Sequence, residues 1–244
     1  MSVLVVTGTG TGVGKTVVTA AIAALAGERG VPVAVVKPAQ TGVGPGEAGD
    51  VDVVRRLAGG ADVHELVRYP DPLSPAAAAR RCGRPPLELH EVEDRVRDLA
   101  ARCRLVLVEG AGGLLVRYDE DGHTLADLAA RLRAPVLLVS AAGLGALNAA
   151  ALTLEVLAHR GLQLAGVVIG AWPDQPDLAA RSNVRDLETL AARPLGGVLP
   201  DGAGQLRPAE FLALARAGLG PAYGGRFDPA DFRRATDPAS RGTA

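Results

Sequence analysis

Lys15 and Thr16 close a glycine-rich run, Thr7-Gly8-Thr9-Gly10-Thr11-Gly12-Val13-Gly14, and this pairing of residue types suits the binding of phosphate. Glycines let successive backbone N–H groups turn inward around an anion, a helix start adds partial positive charge, and the lysine reaches the outer phosphates. The threonine hydroxyl can sit on a magnesium ion. Context supports the reading, because the run follows the apolar Val3-Leu4-Val5-Val6 and opens the helical pattern of residues 17–25. A plain glycine turn with a solvent-facing lysine would not require that order of strand, loop and helix. The common motif has about four residues between its two key glycines. Here Gly8 and Gly14 are separated by five, with Thr9 where the first glycine would stand, so the loop is a variant.

Two carboxylates and a second lysine stand at comparable positions. Glu109 follows the apolar Leu105-Val106-Leu107-Val108 and precedes Gly110-Ala111-Gly112-Gly113, a placement that solvation of a strand end explains poorly. Asp50 follows a Gly- and Pro-rich stretch, where a helix with Val53, Val54 and Leu57 on its buried side could begin. With Thr16 these supply three hard oxygen ligands, and magnesium usually takes one or two carboxylates together with nucleotide phosphates. Asp50 is also a good N-cap, and Asp52 competes with it as the ligand. Lys37 ends the apolar Val33-Ala34-Val35-Val36 and runs into Pro38-Ala39-Gln40-Thr41-Gly42. It could snorkel from a strand tip, but a second cation beside the phosphates is what phosphoryl transfer requires, because charge spreads over the moving group. His64, His90, His123 and His159 have no ligand spacing and read as surface residues.

The elements that must position these groups follow a regular cycle. Apolar strands are predicted over 3–6, 33–36, 105–108, 136–140, 165–169 and 196–199, with helices over 17–25, from Asp50, and over 89–102, 146–159 and 177–192. Fully apolar strands alternating with amphipathic helices predict an α/β fold, a parallel sheet covered by helices on both faces, of the P-loop NTPase type. Right-handed crossovers then put the functional loops outside the carboxyl ends of the strands. Residues 1–222 are expected to form one domain, and 223–244, rich in Gly, Pro, Arg and Asp, a flexible tail.

Composition narrows the class of partner. The 26 basic and 27 acidic side chains leave a net charge of -1, which offers no electrostatic reason to bind nucleic acid or an anionic membrane. Cys82 and Cys103 suggest neither a disulfide framework nor a zinc site. With no signal-like start and no apolar run near the ~20 residues of a membrane span, a cytoplasmic enzyme acting on a small molecule is expected.

Several separated blocks then resemble one family, in order and spacing, over residues 2 to 205. They are the phosphate loop, Lys37-Pro38 with Thr41-Gly42, Ser74-Pro75, Glu109-Gly110-Ala111-Gly112-Gly113, and Gly143-Leu144-Gly145 with Asn148. Together they resemble dethiobiotin synthetase. The resemblance implies a ligase that takes 7,8-diaminopelargonic acid, CO2 and ATP with Mg2+ and closes the ureido ring of dethiobiotin in biotin synthesis. It implies that Lys15 and Lys37 neutralise the transferring phosphoryl group, with Thr11 also at the reacting centre, where Thr11 and Thr41 bond the carbamate and amines. Gly12, Val13, Gly14, Lys15, Thr16, Val17, Glu109, Gly170 and Pro200 would meet the nucleotide. Thr16, Asp50 and Glu109 would hold the metal. Gly112, Gly143, Leu144, Gly145 and Asn148 would join Thr11, Lys37 and Thr41 around the diamine. The family also implies a homodimer in which the 143–148 loop, whose helix start offers free N–H groups to a carboxylate, completes the neighbouring site.

Two departures from the family pattern bear on function. Gly10 and Gly12 stand where members often carry acidic residues, and Gly170 where many place an asparagine that reads adenine, so a broad nucleoside triphosphate preference is expected. A partner-regulated switch ATPase, of the kind that positions plasmids or septa, is the second reading; those proteins usually carry an extra lysine where this chain has Gly10. A related amide-forming ligase would need an amidotransferase domain for which the chain has no room.

Overall fold

The computed structural model describes residues 2–237. Its strands are β1 (Ser2–Gly8), β2 (Val33–Thr41), β3 (Asp62–Tyr69), β4 (Leu105–Gly113), β5 (Val136–Ser140), β6 (Leu164–Trp172) and β7 (Gly197–Pro200). They form one sheet in the order β3-β2-β4-β1-β5-β6-β7, and every pairing is parallel. The helices are α1 (Lys15–Glu28), α2 (Asp50–Ala58), α3 (Pro75–Cys82), α4 (Leu89–Arg102), α5 (Leu125–Leu132), α6 (Ala146–His159), α7 (Leu178–Ala191), α8 (Pro208–Gly218) and α9 (Pro229–Thr236).

Alternate strand residues feed opposite cores, which is why the central strands are apolar throughout. Val5, Val36, Val106 and Val108 pack with α3, α4 and α5 on one face. Leu4, Val6, Val35 and Leu107 pack with α1, α2 and α8 on the other. The α/β architecture and its covered parallel sheet are those expected from the apolar periodicity.

Details differ in ways that matter for the site. Strand β4 separates β1 from β2, so Lys37 does not stand on the strand next to the phosphate loop but two strands away. Both Lys37 and Glu109 lie inside longer strands: β2 continues to Thr41 and β4 to Gly113. Strand β3 was not expected, because Asp62-Val63-His64-Glu65-Leu66-Val67-Arg68-Tyr69 has no apolar run; as an edge strand it needs one covered side only. Nor was α5 foreseen, which Asp127 caps from N3 by accepting from the backbone and hydroxyl of Thr124.

The stretch expected to be a flexible tail from Tyr223 instead carries α9, and the remainder, 238–244, lies outside the described residues. Asp228 caps α9 by accepting from the N–H groups of Ala230 and Asp231. Phe232 meets Trp172 edge-on with ring centroids 5.1 Å apart, and Arg233 pairs with the buried Glu188 of α7. Low apolar content concealed this helix because it docks through one ring and one ion pair. Trp172 is the one tryptophan in the chain. Phe232→Ala should therefore cost about 2 kcal/mol, below the value for a fully buried ring, and should shift Trp172 emission, both read from a fluorescence-monitored denaturant titration.

Candidate active site

The phosphate loop joins β1 to α1, and its shape depends on two glycines in close contact. Gly14 has φ of 91°, a left-handed conformation that favours glycine. A Cβ on it would strike the backbone of Gly170, and a Cβ on Gly170 would strike the Val13 carbonyl and come within 2.5 Å of Val139 Cγ1. Strand β6 thus forms the floor of the loop. Thr9 ties the loop to β5: its N–H donates to Val139 O at 2.9 Å and its hydroxyl accepts from Ala141 N at 3.3 Å. Threonine in place of the usual glycine is a tether.

Lys15 folds back so that its ammonium donates to Gly10 O at 2.7 Å. Burial, with repulsion from Lys37, lowers its pKa to about 8, partly offset by Glu109 and Asp50. Lys37 is buried more deeply yet is surrounded by acceptors: Asp50 Oδ2 at 2.6 Å, Glu109 Oε1 at 2.9 Å and Gly110 O at 3.1 Å. Burial alone would lower its pKa, but Glu109 and Asp50 outweigh that and raise it. The same ammonium holds Asp50 below the usual carboxylate range against the opposing effect of burial. Thr16 donates its hydroxyl to Glu109 Oε1 at 2.8 Å. Hydroxyl, two carboxylates and ammonium therefore form one connected group.

These groups line a cleft of about 350 Å³ beside the phosphate loop. Of the expected residues, Thr11, Gly12, Gly14, Lys15, Thr16, Lys37, Thr41, Asp50, Glu109 and Gly112 all face it. Val13 and Gly170 pack beneath the loop, and Val17 approaches Gly204 in the turn after β7, past Pro200. Gly143, Leu144, Gly145 and Asn148 are not among the cleft's lining residues, and Leu144 is 94% exposed. A larger cavity, about 1070 Å³ between α7 and α9, shares no residue with the cleft.

The geometry separates the two aspartates. Asp52 is turned away to accept from Gly49 N at 2.9 Å and to pair with Arg55 at 2.5 Å, while Asp50 faces Lys37. The N-cap of α2 is Gly49, and Asp50 is its first residue, so Asp50 does not cap the helix with its side chain. Gln40 was overlooked. It is buried, lines the cleft, and accepts from Asp50 N at 2.9 Å. Asn183 was overlooked too: its amide donates to Ala142 O at 2.8 Å and Gly143 O at 2.9 Å. Neither has a sequence signal, since each acts on backbone groups far away in the chain. Among the described residues no group of three or more His, Cys, Asp or Glu side chains is arranged for a metal, and His123 instead pairs with the buried Asp119.

A family model described as "AAA domain" matches residues 2–204. The ATP-dependent dethiobiotin synthetase of Frankia casuarinae is 70% identical over 96% of this chain and 98% of its own length. That of Saccharopolyspora erythraea is 62% identical over 93% of this chain and 99% of its own length. The chain belongs to the dethiobiotin synthetase family. Solved structures show a broader likeness of fold. A ParA family ATPase from Chlorobium tepidum matches with a TM-score of 0.53 at 16% identity, covering 87% of this chain and 91% of that one. MinD from Pyrococcus horikoshii matches with a TM-score of 0.51 at 19% identity, covering 88% of this chain and 94% of that one. At such identity the likeness concerns the scaffold, which the dethiobiotin synthetases share with proteins of other activities.

The contact between Gly14 and Gly170 changes what the missing asparagine means. A side chain at position 170 would have to displace the phosphate loop before it could reach a base. Gly170→Asn should therefore weaken binding of ATP, GTP and CTP alike, by about tenfold or more. The unmodified protein should use the three with similar kcat/KM, and comparing these ratios in both proteins is the measurement.

Proposed function

We propose that the cleft carries out the ATP-dependent formation of dethiobiotin, the reaction for which the family is named, from 7,8-diaminopelargonic acid and CO2. The observation that carries the reading is the buried Lys37, bridging Glu109 and Asp50 beside the phosphate loop. One amine of the diamine takes up CO2 and loses a proton, giving a carbamate. A carbamate oxygen then displaces ADP from the γ-phosphorus of ATP, and the second amine attacks the carbon of the resulting carbamic-phosphoric anhydride. Inorganic phosphate leaves and the cyclic urea closes. Holding carbamate, γ-phosphate and second amine together lowers the entropic cost of each step.

The residues divide this work by position. Backbone N–H groups of residues 12–17 and the Lys15 ammonium suit the triphosphate, and Pro200 follows a strand tip near the same helix start. Lys37, whose raised pKa keeps it charged, offers a fixed cation to the phosphoryl group as negative charge spreads over it. Thr11, Thr41 and Gly112 border the same cleft and suit the carbamate and amines. Thr16, Asp50 and Glu109 form a donor set of hard oxygens that fits Mg2+, which when bound would neutralise phosphate charge. Lys37→Ala should lower kcat about 100-fold or more with little change in nucleotide affinity, whereas Lys15→Ala should also weaken nucleotide binding. Dethiobiotin and ADP, quantified by mass spectrometry from diamine, bicarbonate and Mg-ATP, test the whole reading. ATP hydrolysis stimulated by DNA or lipid, without dethiobiotin, would favour the switch ATPase instead.

A homodimer is part of the proposal. Leu115 and Leu152 are 46% and 58% exposed and border one apolar groove with Ala149 and Val156, and Leu144 precedes Gly145, the N-cap of α6, the helix that carries Leu152. Adjacent exposed leucines of this kind mark an association surface. Seating it on a second copy would bring the 143–148 loop to the diamine carboxylate of the neighbouring cleft. No helix among the described residues is long and apolar enough to cross a membrane, and a small-molecule reaction in the cytoplasm, without nucleic acid, fits the charge balance. Leu152→Lys should shift the protein toward monomer in sedimentation equilibrium and lower activity in parallel, recoverable at higher protein concentration.

A further inference from the structure

The first turn of α2 must hold Asp50 toward Lys37, yet the segment before it, Gly42-Val43-Gly44-Pro45-Gly46-Glu47-Ala48-Gly49, has no regular structure and few apolar anchors. Gly42 N donates to Tyr69 O at 3.1 Å and Asp71 O at 3.0 Å, and the residues after it are held by a side chain from the edge strand. Arg68 of β3 engages Glu65 through two parallel bonds, Nε to Oε1 at 2.6 Å and Nη2 to Oε2 at 2.9 Å. Its third nitrogen, Nη1, donates to Glu47 O at 2.6 Å and Gly44 O at 3.1 Å. Nη2 also lies 3.9 Å from Asp52 Oδ2. Glu65 sets the plane of the guanidinium, and the remaining edge of the fork takes two carbonyls of the segment, a division of contacts that a lysine could not reproduce.

The cluster continues to the cleft without a gap. Gln40 pairs in register with Arg68 across β2 and β3, as Lys37 pairs with Glu65, and its carboxamide oxygen accepts from Asp50 N. Gly49 sits in the middle. A Cβ there would lie 2.8 Å from Arg68 Nη2, 3.0 Å from Gln40 Oε1 and 3.1 Å from Glu65 Oε2, so this position accepts only glycine while the three polar groups stay in place.

We infer that Arg68, braced by Glu65, is a positioning residue that fastens the 42–49 segment and so sets the direction in which Asp50 presents its carboxylate to the nucleotide-metal site. The inference rests on Asp50 serving as a metal ligand, as proposed above. It also accounts for two polar residues of the edge strand β3, Glu65 and Arg68, which are used on the segment beside it.

The test compares Arg68→Ala, Gly49→Ala and Asp50→Asn with the unmodified protein in two measurements. The first is the Mg2+ concentration giving half-maximal rate at saturating ATP and diamine. The second is amide hydrogen exchange over residues 42–52 of the nucleotide-free protein. Arg68→Ala and Gly49→Ala should each raise the Mg2+ requirement about tenfold, with kcat restored at high Mg2+, and should speed exchange in the segment at least tenfold while the midpoint of global unfolding stays nearly unchanged. Asp50→Asn should raise the Mg2+ requirement without speeding exchange. If Asp50→Asn shifts the requirement and Arg68→Ala moves neither measurement, the positioning role is overturned and the metal assignment survives. If Asp50→Asn leaves the requirement unchanged, the metal assignment fails and the inference with it. A loss of global stability in Arg68→Ala that matches its loss of Mg2+ response would overturn the positioning role in favour of general support.

Discussion

Burying the Lys37 ammonium is the demand around which the cleft is built. A lone ammonium removed from water costs several kcal/mol, and in practice it would lose its proton. Here two carboxylates and a backbone carbonyl surround it. Satisfying one side chain therefore fixes β2, β4 and the start of α2 relative to one another. Glu109 extends the constraint to α1, because the oxygen that accepts from Lys37 also accepts from Thr16. The charge proposed to act in phosphoryl transfer is thus also the charge that ties these elements together.

A second constraint acts from the opposite side of the phosphate loop and is steric. Gly14 and Gly170 leave no room for side chains between the loop and β6, and Thr9 ties the loop to the start of the segment after β5. The loop is thereby held against β5 and β6, with Lys15 drawn back onto its own backbone at Gly10. Electrostatics position the acidic wall and close packing positions the phosphate cradle. Neither depends on the other's chemistry, which is how a loop that departs from the common spacing still presents Lys15 and Thr16 to the same cleft.

Most of this was legible in the sequence where a residue acts through its immediate chain context. Glu109 follows an apolar run directly, and Lys15 and Thr16 close a glycine run that does; a charge or glycine run at that point has few structural explanations. The central strands were legible because burial on both faces leaves an uninterrupted apolar run. Groups that act at a distance left no such mark. Gln40 bonds a backbone N–H ten residues on, Asn183 reaches carbonyls 40 residues back, and α9 docks through a single ring and ion pair. The choice between Asp50 and Asp52 was open for a related reason: two residues, about half a helical turn, separate a side chain facing the cleft from one facing Arg55, and capping propensity is similar for both. Gly170 shows the opposite risk. A missing polar side chain reads as lost recognition, and the structure adds a second reason for glycine there: its backbone is the surface on which the phosphate loop rests.

The likeness to ParA and MinD structures then sets a limit on what the scaffold contributes. The fold is common to proteins of different activity, so it does not by itself select dethiobiotin formation. Selection must come from groups added to the scaffold, and here they stand on β2 and β4, inside strands, rather than on the tips of long loops. Lys37 pairs in register with Glu65 of β3, and Glu109 with Val6 of β1, which limits how far either can shift. In the function proposed above, a rigid cation would suit intermediates, a carbamate and its phosphoric anhydride, that decompose if held loosely or exposed to water. In the function proposed above, the flexible part of the problem, a long and apolar diamine with a terminal carboxylate, would fall to the 143–148 loop and the exposed leucines beside it, where adaptable contacts suffice. The division between strand-borne chemistry and loop-borne recognition would then follow from how much movement each task tolerates.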